Sequence, residues 1–399
     1  MARHGPLQGL KVLELGQLVA GPFATRLMAE FGAEVIKVEP PGIGDPLRNW
    51  RVMAGDTSLW WYLQGRNKKS ITVDLRKPEG QEIVRRLAAK VDILVENFRP
   101  GAMERWGLGW EQLQPLNPRL IMVRISGYGQ DGPDRDKPGF GAIGEAMGGI
   151  RHITGYPDRP PVRVGLSLGD SLAGLYGALG ALMAVYHRDV AGSGRGQVVD
   201  TALYEAVFGV TESLLPEFDR TGQARSRTGN QLPGIAPTST YTCADGQHVV
   251  IGANGDSIFR RFMSTIGRPD LAEDPRFQTN AGRAAHAEFL DSVIDGWTRQ
   301  HTLEEVLALC EQAGTPAGRI YSAADMVRDP QYIAREMIRT VQLPDGPLRM
   351  PGIVPKLSET PGEIDWVGPR LGEHTDEILT DLLGLHPDEL AALRANRVI

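Results

Sequence analysis

Short apolar runs alternate with amphipathic stretches from the start of the chain. Lys11-Val-Leu-Glu-Leu15 is a β-type run, and the loop Gly16-Gln-Leu-Val-Ala-Gly-Pro22 follows. In Phe23 to Phe31 the apolar Phe23, Leu27, Met28 and Phe31 recur at helical spacing, and Gly32 ends the helix. Glu34-Val-Ile-Lys-Val-Glu39 reads as a second strand. Strand, crossover helix and strand make a βαβ unit, whose two strands must run parallel.

The alternation goes on. Ser70 to Leu75 is extended, and a helix starts at Pro78, an ordinary first-turn residue, and runs to Ala89. Asp92-Ile-Leu-Val95 and Leu120-Ile-Met-Val-Arg-Ile125 read as strands, and Gln197 to Ala202 as one more. Such a pattern predicts an α/β layer with its strand ends facing one crevice. Arg220 to Pro237 is rich in Gly, Pro, Thr and Asn and has no period, so a domain boundary is expected near 220. Beyond it, His248-Val-Val-Ile251 is strand-like and helices are expected over 256–266, 284–299 and 302–313.

Composition narrows the class. The 399 residues carry 43 Lys and Arg against 49 Asp and Glu, a net charge of −6, which gives no overall attraction to nucleic acid or an anionic membrane. An anionic ligand therefore needs a local basic pocket. Cys243 and Cys310 cannot build a disulfide framework and lack metal-ligand spacing, so a reduced, cytoplasmic protein without a metal is expected. Arg3, His4, Lys11 and Glu14 interrupt the first fifteen residues, so no apolar targeting segment is expected there. The uncharged stretch Ser171 to Tyr186 is 16 residues long, short of the ~20 that span a bilayer. It is read as a buried helix.

Several motifs invite chemistry. Gly165-Leu-Ser-Leu-Gly169 matches the nucleophile elbow G-x-S-x-G, which needs Ser167 at a strand-to-helix turn and a downstream acid and histidine. His248, His301 and His374 lie downstream, but none sits in a distinctive loop, and a chance match is the plainer reading. Gly139-Phe-Gly-Ala-Ile-Gly144 matches G-x-G-x-x-G but follows a polar loop where a dinucleotide site needs a strand, so it reads as a loop entering a helix. Asp170 immediately precedes the 16-residue uncharged stretch. It is either an N-cap worth ~1 kcal/mol or a carboxylate nucleophile kept ionised at a helix N-terminus. Lys37, Arg48, Arg66, Lys68, Lys69, Arg76, Arg99, Arg105 and Lys137 fall in or beside loops at predicted strand ends, where together they could form a basic pocket for a phosphorylated ligand.

At this point the residues resemble a known family. The blocks are Leu10-Lys-Val-Leu-Glu-Leu15, Ala20-Gly-Pro-Phe23, Gly32 to Glu39, Gly44-Asp-Pro46, Asn67-Lys-Lys-Ser70 and Val95-Glu-Asn-Phe98. They continue with Gly101 to Gly107, Gly127-Tyr-Gly129, Leu168-Gly-Asp170, Gly194-Arg-Gly-Gln197 and Leu371-Gly-Glu-His-Thr375. Nearly end to end, the chain resembles the class III CoA-transferases, also called the formyl-CoA transferase or carnitine CoA-transferase family. The resemblance implies an α/β fold with a Rossmann-like large domain and a smaller α+β domain, in an interlocked, ring-like homodimer. Residues 1–220 would begin the large CoA-binding domain, 221–330 would form the small one, and 331–399 would return to complete the first.

The resemblance also implies a reaction and a site. CoA would move from an acyl-CoA to a free carboxylic acid through an anhydride and a thioester on Asp170, with acyl-CoA as substrate and no permanently bound cofactor. Leu18, Val19, Val73, Arg76, Asn97, Phe98, Arg105 and Lys137 would contact CoA. The family's run of consecutive glycines is absent, and Gly229-Asn-Gln-Leu-Pro-Gly234 is the candidate lid. The family's α-methylacyl-CoA racemases pair the equivalent of Asp170 with a histidine, and here that position is Phe140, which disfavours racemisation. Transferase leads, racemase follows, and a serine hydrolase using Ser167 is a distant third. Glu14-Leu-Gly-Gln17 and Glu39-Pro-Pro-Gly42 resemble the branch that uses succinyl-CoA and dicarboxylates. The second carboxylate wants a guanidinium, and Arg48 and Arg163 are the candidates.

Overall fold

The computed structural model describes residues 5–399, so Arg3 and His4 lie outside the described residues. The chain forms two units, one of residues 1–151, 164–220 and 336–399, the other of 152–163 and 221–335.

In the first unit six strands are β1 (Lys11–Glu14), β2 (Glu34–Glu39), β3 (Lys68–Thr72), β4 (Ile93–Glu96), β5 (Ile121–Ser126) and β6 (Val198–Ala202). They lie in the order β3-β2-β1-β4-β5-β6, and every pairing is parallel. This is the doubly wound order. Side chains alternate across the sheet, so Leu13, Ile36, Leu94 and Met122 enter a core on one face, while Val12, Val35, Val95 and Val123 enter the other. The first core is closed by α2 (Pro78–Ala88) and by the C-terminal helices Thr375–Leu383 and Pro387–Ala395.

The second core is closed by α1 (Ala20–Glu30) and α4 (Leu168–Asp189), and α3 (Gly141–Met147) lies near the start of α4. Helices α1 and α4 can approach closely because Gly174 lacks a side chain; a Cβ there would stand 2.6 Å from the Ala20 carbonyl oxygen. The expected buried helix proves two-sided. Ala173, Ala178, Ala181 and Ala184 are buried, whereas Leu175, Leu179, Met183 and Tyr186 are exposed. By length and apolarity α4 could also cross a membrane.

Residues 336–399 cover the β3 edge of the sheet. The Asn67 N–H donates to the Trp366 carbonyl and the Asp74 N–H to that of Val398, satisfying groups that an open edge would expose.

In the second unit β7 (Thr238–Thr242), β8 (His248–Gly252) and β9 (Ala317–Arg319) form an antiparallel sheet in the order β9-β8-β7. Helices Asp256–Thr265, Ala287–Thr298 and Leu303–Gln312 pack on it around Phe259, Phe262, Leu290 and Val306. Residues 152–163, which a boundary near 220 assigns to the large domain, group with this unit. The Arg227 guanidinium donates to the carbonyls of His152 and Tyr156, and the Gly229 N–H to that of Gly155.

Candidate active site

The strand order reverses between β1 and β4, and a doubly wound sheet opens its crevice at such a point, beyond the carboxyl ends of the strands. A cavity of about 190 Å³ lies there. Its wall takes Gln17 to Ala20 after β1, Asn97 to Pro100 after β4, and Ile125 to Gly127 at the end of β5. Lys137 to Phe140, Asp170 and Leu203 complete it.

Asp170 is the third residue of α4, and Ser167 holds the N-cap position. The capping explanation of Asp170 therefore falls. Its half-buried carboxylate reaches across to the first residue of α3, where a Cβ on Gly141 would stand 2.0 Å from Oδ2. Only a glycine leaves room for the carboxylate in that position. The N–H groups opening α3 and α4 have no acceptor within their own helices, so this end of the cavity favours negative charge. The buried Glu145 steadies the start of α4 by accepting the Gly169 N–H at 3.3 Å.

The opposite wall is the loop after β1, and side chains grip its backbone at several points. Asn97 Oδ1 accepts the Gln17 N–H at 2.7 Å, and Asn97 Nδ2 donates to the Gln17 carbonyl at 2.9 Å. The Leu18 N–H donates to both carboxylate oxygens of Asp45, each at 3.1 Å. Lys37 Nζ donates to the Gly16 carbonyl, and in the first turn of α1, which continues this loop, Lys68 Nζ donates to the Pro22 carbonyl at 2.8 Å. Lys37 also meets Asp45 at 2.8 Å and Glu14 at 2.9 Å, and Lys68 meets Glu14 at 2.8 Å.

All four of these charged residues are buried. Burial alone would push the Lys37 ammonium down, but Asp45, Glu14 and Glu39 raise it above its ordinary value. Lys68, equally buried and next to Lys37, is pushed down to about 8. Burial pushes Glu14 up, and the two ammonium groups outweigh that, leaving its carboxyl lowered.

Of the residues expected to contact CoA, Leu18, Val19, Asn97, Phe98 and Lys137 line the cavity together with Asp170. Phe98 is set edge-on against Trp106, with ring centroids 5.1 Å apart. Lys137 is exposed and paired with Asp134 at 2.7 Å, which raises its pKa. Arg105 is exposed on the helix Ala102–Arg105, outside the cavity wall. Val73 and Arg76 follow β3, two strands from the cavity. Val73 is buried, and Arg76 closes its fork on Asp74 at 2.8 and 2.9 Å.

Neither candidate guanidinium for a second carboxylate is among the residues that line the cavity. Arg48 is buried and forked onto Glu39, with two contacts of 2.7 Å, and it stacks over the Trp61 ring at 3.7 Å. It is absent from the cavity wall, and its charge is already neutralised by Glu39. Arg163 is exposed in the segment that groups with the second unit.

Of the nine basic residues expected to form a pocket for a phosphorylated ligand, Arg99 and Lys137 line the cavity. Arg99 is exposed there, directly after the Val95-Glu-Asn-Phe98 block, with no ion pair among the described residues. Phe140 also lines the cavity and is 68% exposed.

Ser167 does not line the cavity, residues 160–164 form no strand before it, and no histidine bonds to its hydroxyl among the described residues. The strand-to-helix setting of a nucleophile elbow is therefore missing. Among the described residues no cluster of three or more His, Cys, Asp or Glu could hold a metal.

A parallel sheet of this order, with a carboxylate-bearing cavity at its switch point, sets the protein among the doubly wound α/β enzymes. The chain belongs to CoA-transferase family III, which it matches over residues 7–375. It is 56% identical over 396 residues to a succinyl-CoA–D-citramalate CoA-transferase of Chloroflexus aurantiacus, covering 99% of this chain and 98% of that one. It is 42% identical to the beta subunit of a succinyl-CoA–L-malate CoA-transferase of the same organism, again covering 99% and 98%. A solved CAIB/BAIF family protein from Brucella suis has the same fold, with a TM-score of 0.83 at 35% identity, over 95% of this chain and 100% of that one.

Proposed function

We propose that the enzyme moves CoA from succinyl-CoA to a second dicarboxylic acid, with Asp170 as the nucleophile. The observation that carries this reading is the seat of Asp170, a half-buried carboxylate in a cavity at the switch point of the sheet. A carboxylate oxygen of Asp170 attacks the thioester carbonyl, the C–S bond breaks, and CoA thiolate leaves a mixed anhydride behind. The thiolate then attacks the aspartyl carbonyl, giving an aspartyl-CoA thioester and the free donor acid. The acceptor carboxylate attacks that thioester, and the returning thiolate takes up the acceptor acyl group and restores Asp170. An anhydride keeps the acyl group as activated as the thioester was, which a serine ester would not. Water has to be kept out while it exists.

Leu18, Val19, Asn97, Phe98 and Lys137 bind CoA near its reacting end in this reading, with Arg76 and Arg105 meeting its phosphates. Arg99 is the guanidinium assigned to the dicarboxylate, in place of Arg48. The named relatives act on D-citramalate and L-malate, which favours an acceptor with two carboxylates and a hydroxyl beside one of them. Phe140 has no proton-accepting atom, which leaves racemisation without its second base. The exposed apolar face of α4, with Leu175, Leu179, Met183 and Tyr186, is assigned to a second copy of the chain in an interlocked homodimer. Two buried free cysteines suit a reducing cytoplasm.

A matrix of acyl-CoA donors against mono- and dicarboxylic acids, read by mass, tests the substrate. Faster turnover with acetyl-CoA than with succinyl-CoA sinks the dicarboxylate assignment. Oxygen-18 in the Asp170 carboxylate should appear in the released donor acid, and its retention by the enzyme excludes the anhydride. A monomer in sedimentation at micromolar concentration excludes the interlocked pair.

A further inference from the structure

Three acids and three bases, Glu14, Glu39, Asp45, Lys37, Arg48 and Lys68, are buried together beneath the loop after β1. Buried ion pairs do little for stability, because desolvation offsets their attraction, and they are best accounted for where they fix one arrangement among several. What they fix here can be read from the contacts. Leu18 has φ of +65°, a left-handed backbone that costs an L-residue with a branched side chain free energy and persists only when its surroundings impose it. The Leu18 N–H is held by both oxygens of Asp45. Asp45 is fixed in turn by Lys37 Nζ at 2.8 Å and by its own N–H, which donates to Glu39 Oε2 at 2.9 Å. Arg48 forks onto that same Glu39. The order of support therefore runs from Arg48 to Glu39 to Asp45 to Leu18, and Leu18 lies on the cavity wall.

We propose that Asp45 is a positioning residue for CoA transfer, holding Leu18 in its left-handed conformation so that the loop after β1 faces Asp170 in one geometry. The inference rests on the reading of the cavity as the transfer site. It assigns Asp45 no contact with substrate, and it gives Arg48 the task of orienting Asp45 through Glu39.

The test is a double-mutant cycle in the full-length enzyme, because glycine adopts the left-handed conformation without strain. Asp45→Ala should lower kcat for succinyl-CoA by ~100-fold, the scale of a misplaced reacting geometry. Amide exchange should quicken in the peptide covering residues 16–22. Asp45→Asn keeps an oxygen for the Leu18 N–H and should recover most of the activity. In a Leu18→Gly background the further loss from Asp45→Ala should be at least fivefold smaller than in the wild type, since the strain it controls is gone. The proposal is overturned if folded Asp45→Ala keeps kcat within threefold of wild type, or if the two single losses simply multiply in the double variant. Should Asp45→Ala fail to fold, the cycle is run with Asp45→Ser, whose single short oxygen cannot hold the Leu18 N–H and Lys37 together, and the same multiplication decides it. Asp170→Ala is assayed alongside. Transfer surviving there removes the reading of the cavity as the transfer site, while the exchange at residues 16–22 reports on Asp45 independently.

Discussion

On one side of the cavity the loop over residues 15–19 is gripped by side chains: buried Lys37 and Asp45, together with Asn97, hold three of its five backbone units, and buried Lys68 holds the Pro22 carbonyl in the first turn of α1. On the other side the Asp170 carboxylate is accommodated by missing atoms, above all the absent side chain of Gly141. The first arrangement is directional and depends on protonation state. The second is steric. A loop without regular structure is held by bonds to its backbone, whereas the backbone in the first turn of a 22-residue helix is already held by the helix itself. The two walls should therefore fail in different ways when disturbed.

The largest effect is expected on the steric wall. Asp170→Ala removes the attacking oxygen, and transfer should fall by ~10³-fold or more, as for the loss of a nucleophile. Because Ser167 and not Asp170 holds the cap position, thermal unfolding should move by no more than the ~1 kcal/mol of a charge near a helix N-terminus. Substantial residual transfer would reduce Asp170 to a bystander.

Gly141→Ala comes next. Its methyl group would stand 2.0 Å from Oδ2 and 2.6 Å from Cγ of Asp170, so the carboxylate has to move. A displacement of that size should cost kcat ~100-fold while KM for the acyl-CoA changes little. Unchanged kcat would mean that the carboxylate position seen here is not the reacting one.

The charged wall should show itself through pH. Lys68 has its pKa lowered from 10.5 in the unfolded chain to about 8 in the fold. Between those values the unfolded chain binds more protons, so stability rises with pH. The penalty for burying the charged ammonium is fully present below pH 8 and fades towards 10.5. Lys68→Met lacks this dependence. The stability of the wild type relative to Lys68→Met should therefore increase by about 2 kcal/mol between pH 7.5 and 9.5, measured by denaturant unfolding at each pH. A flat or falling difference would show that Lys68 is not depressed.

The smallest effect lies away from both walls. Arg76 is exposed and forked onto Asp74, so Arg76→Ala should raise KM for every acyl-CoA alike, by ~3- to 10-fold, with kcat unchanged. A response confined to the acceptor acid would take Arg76 away from CoA.

Much of this was legible in the chain. The strands of the parallel sheet and the helix after Asp170 follow from apolar periodicity and Gly/Pro punctuation, because those signals are local and repeat along the sequence. The matched blocks singled out Asp170, Asn97 and Phe98, three residues that the cavity brings together. Other features were settled only when distant segments met. Gly44-Asp-Pro46 was visible as a block, yet nothing in the sequence tells that Asp45 would bond Leu18, 27 residues earlier, because that depends on how β1 and β2 lie side by side. Arg48 looked free for a substrate until the fold set it against Glu39 and the Pro369 carbonyl, 321 residues away. Asp170 could be read as a cap or as a nucleophile until the helix began at Leu168. Sequence by itself determined which segments become strands and helices and which residue types stand at their ends, since backbone propensity and apolar spacing act over a few residues. Only the tertiary structure decided which charges neutralise each other inside the protein and which remain facing the cavity, because the energy of a buried charge depends on partners that the chain brings from afar.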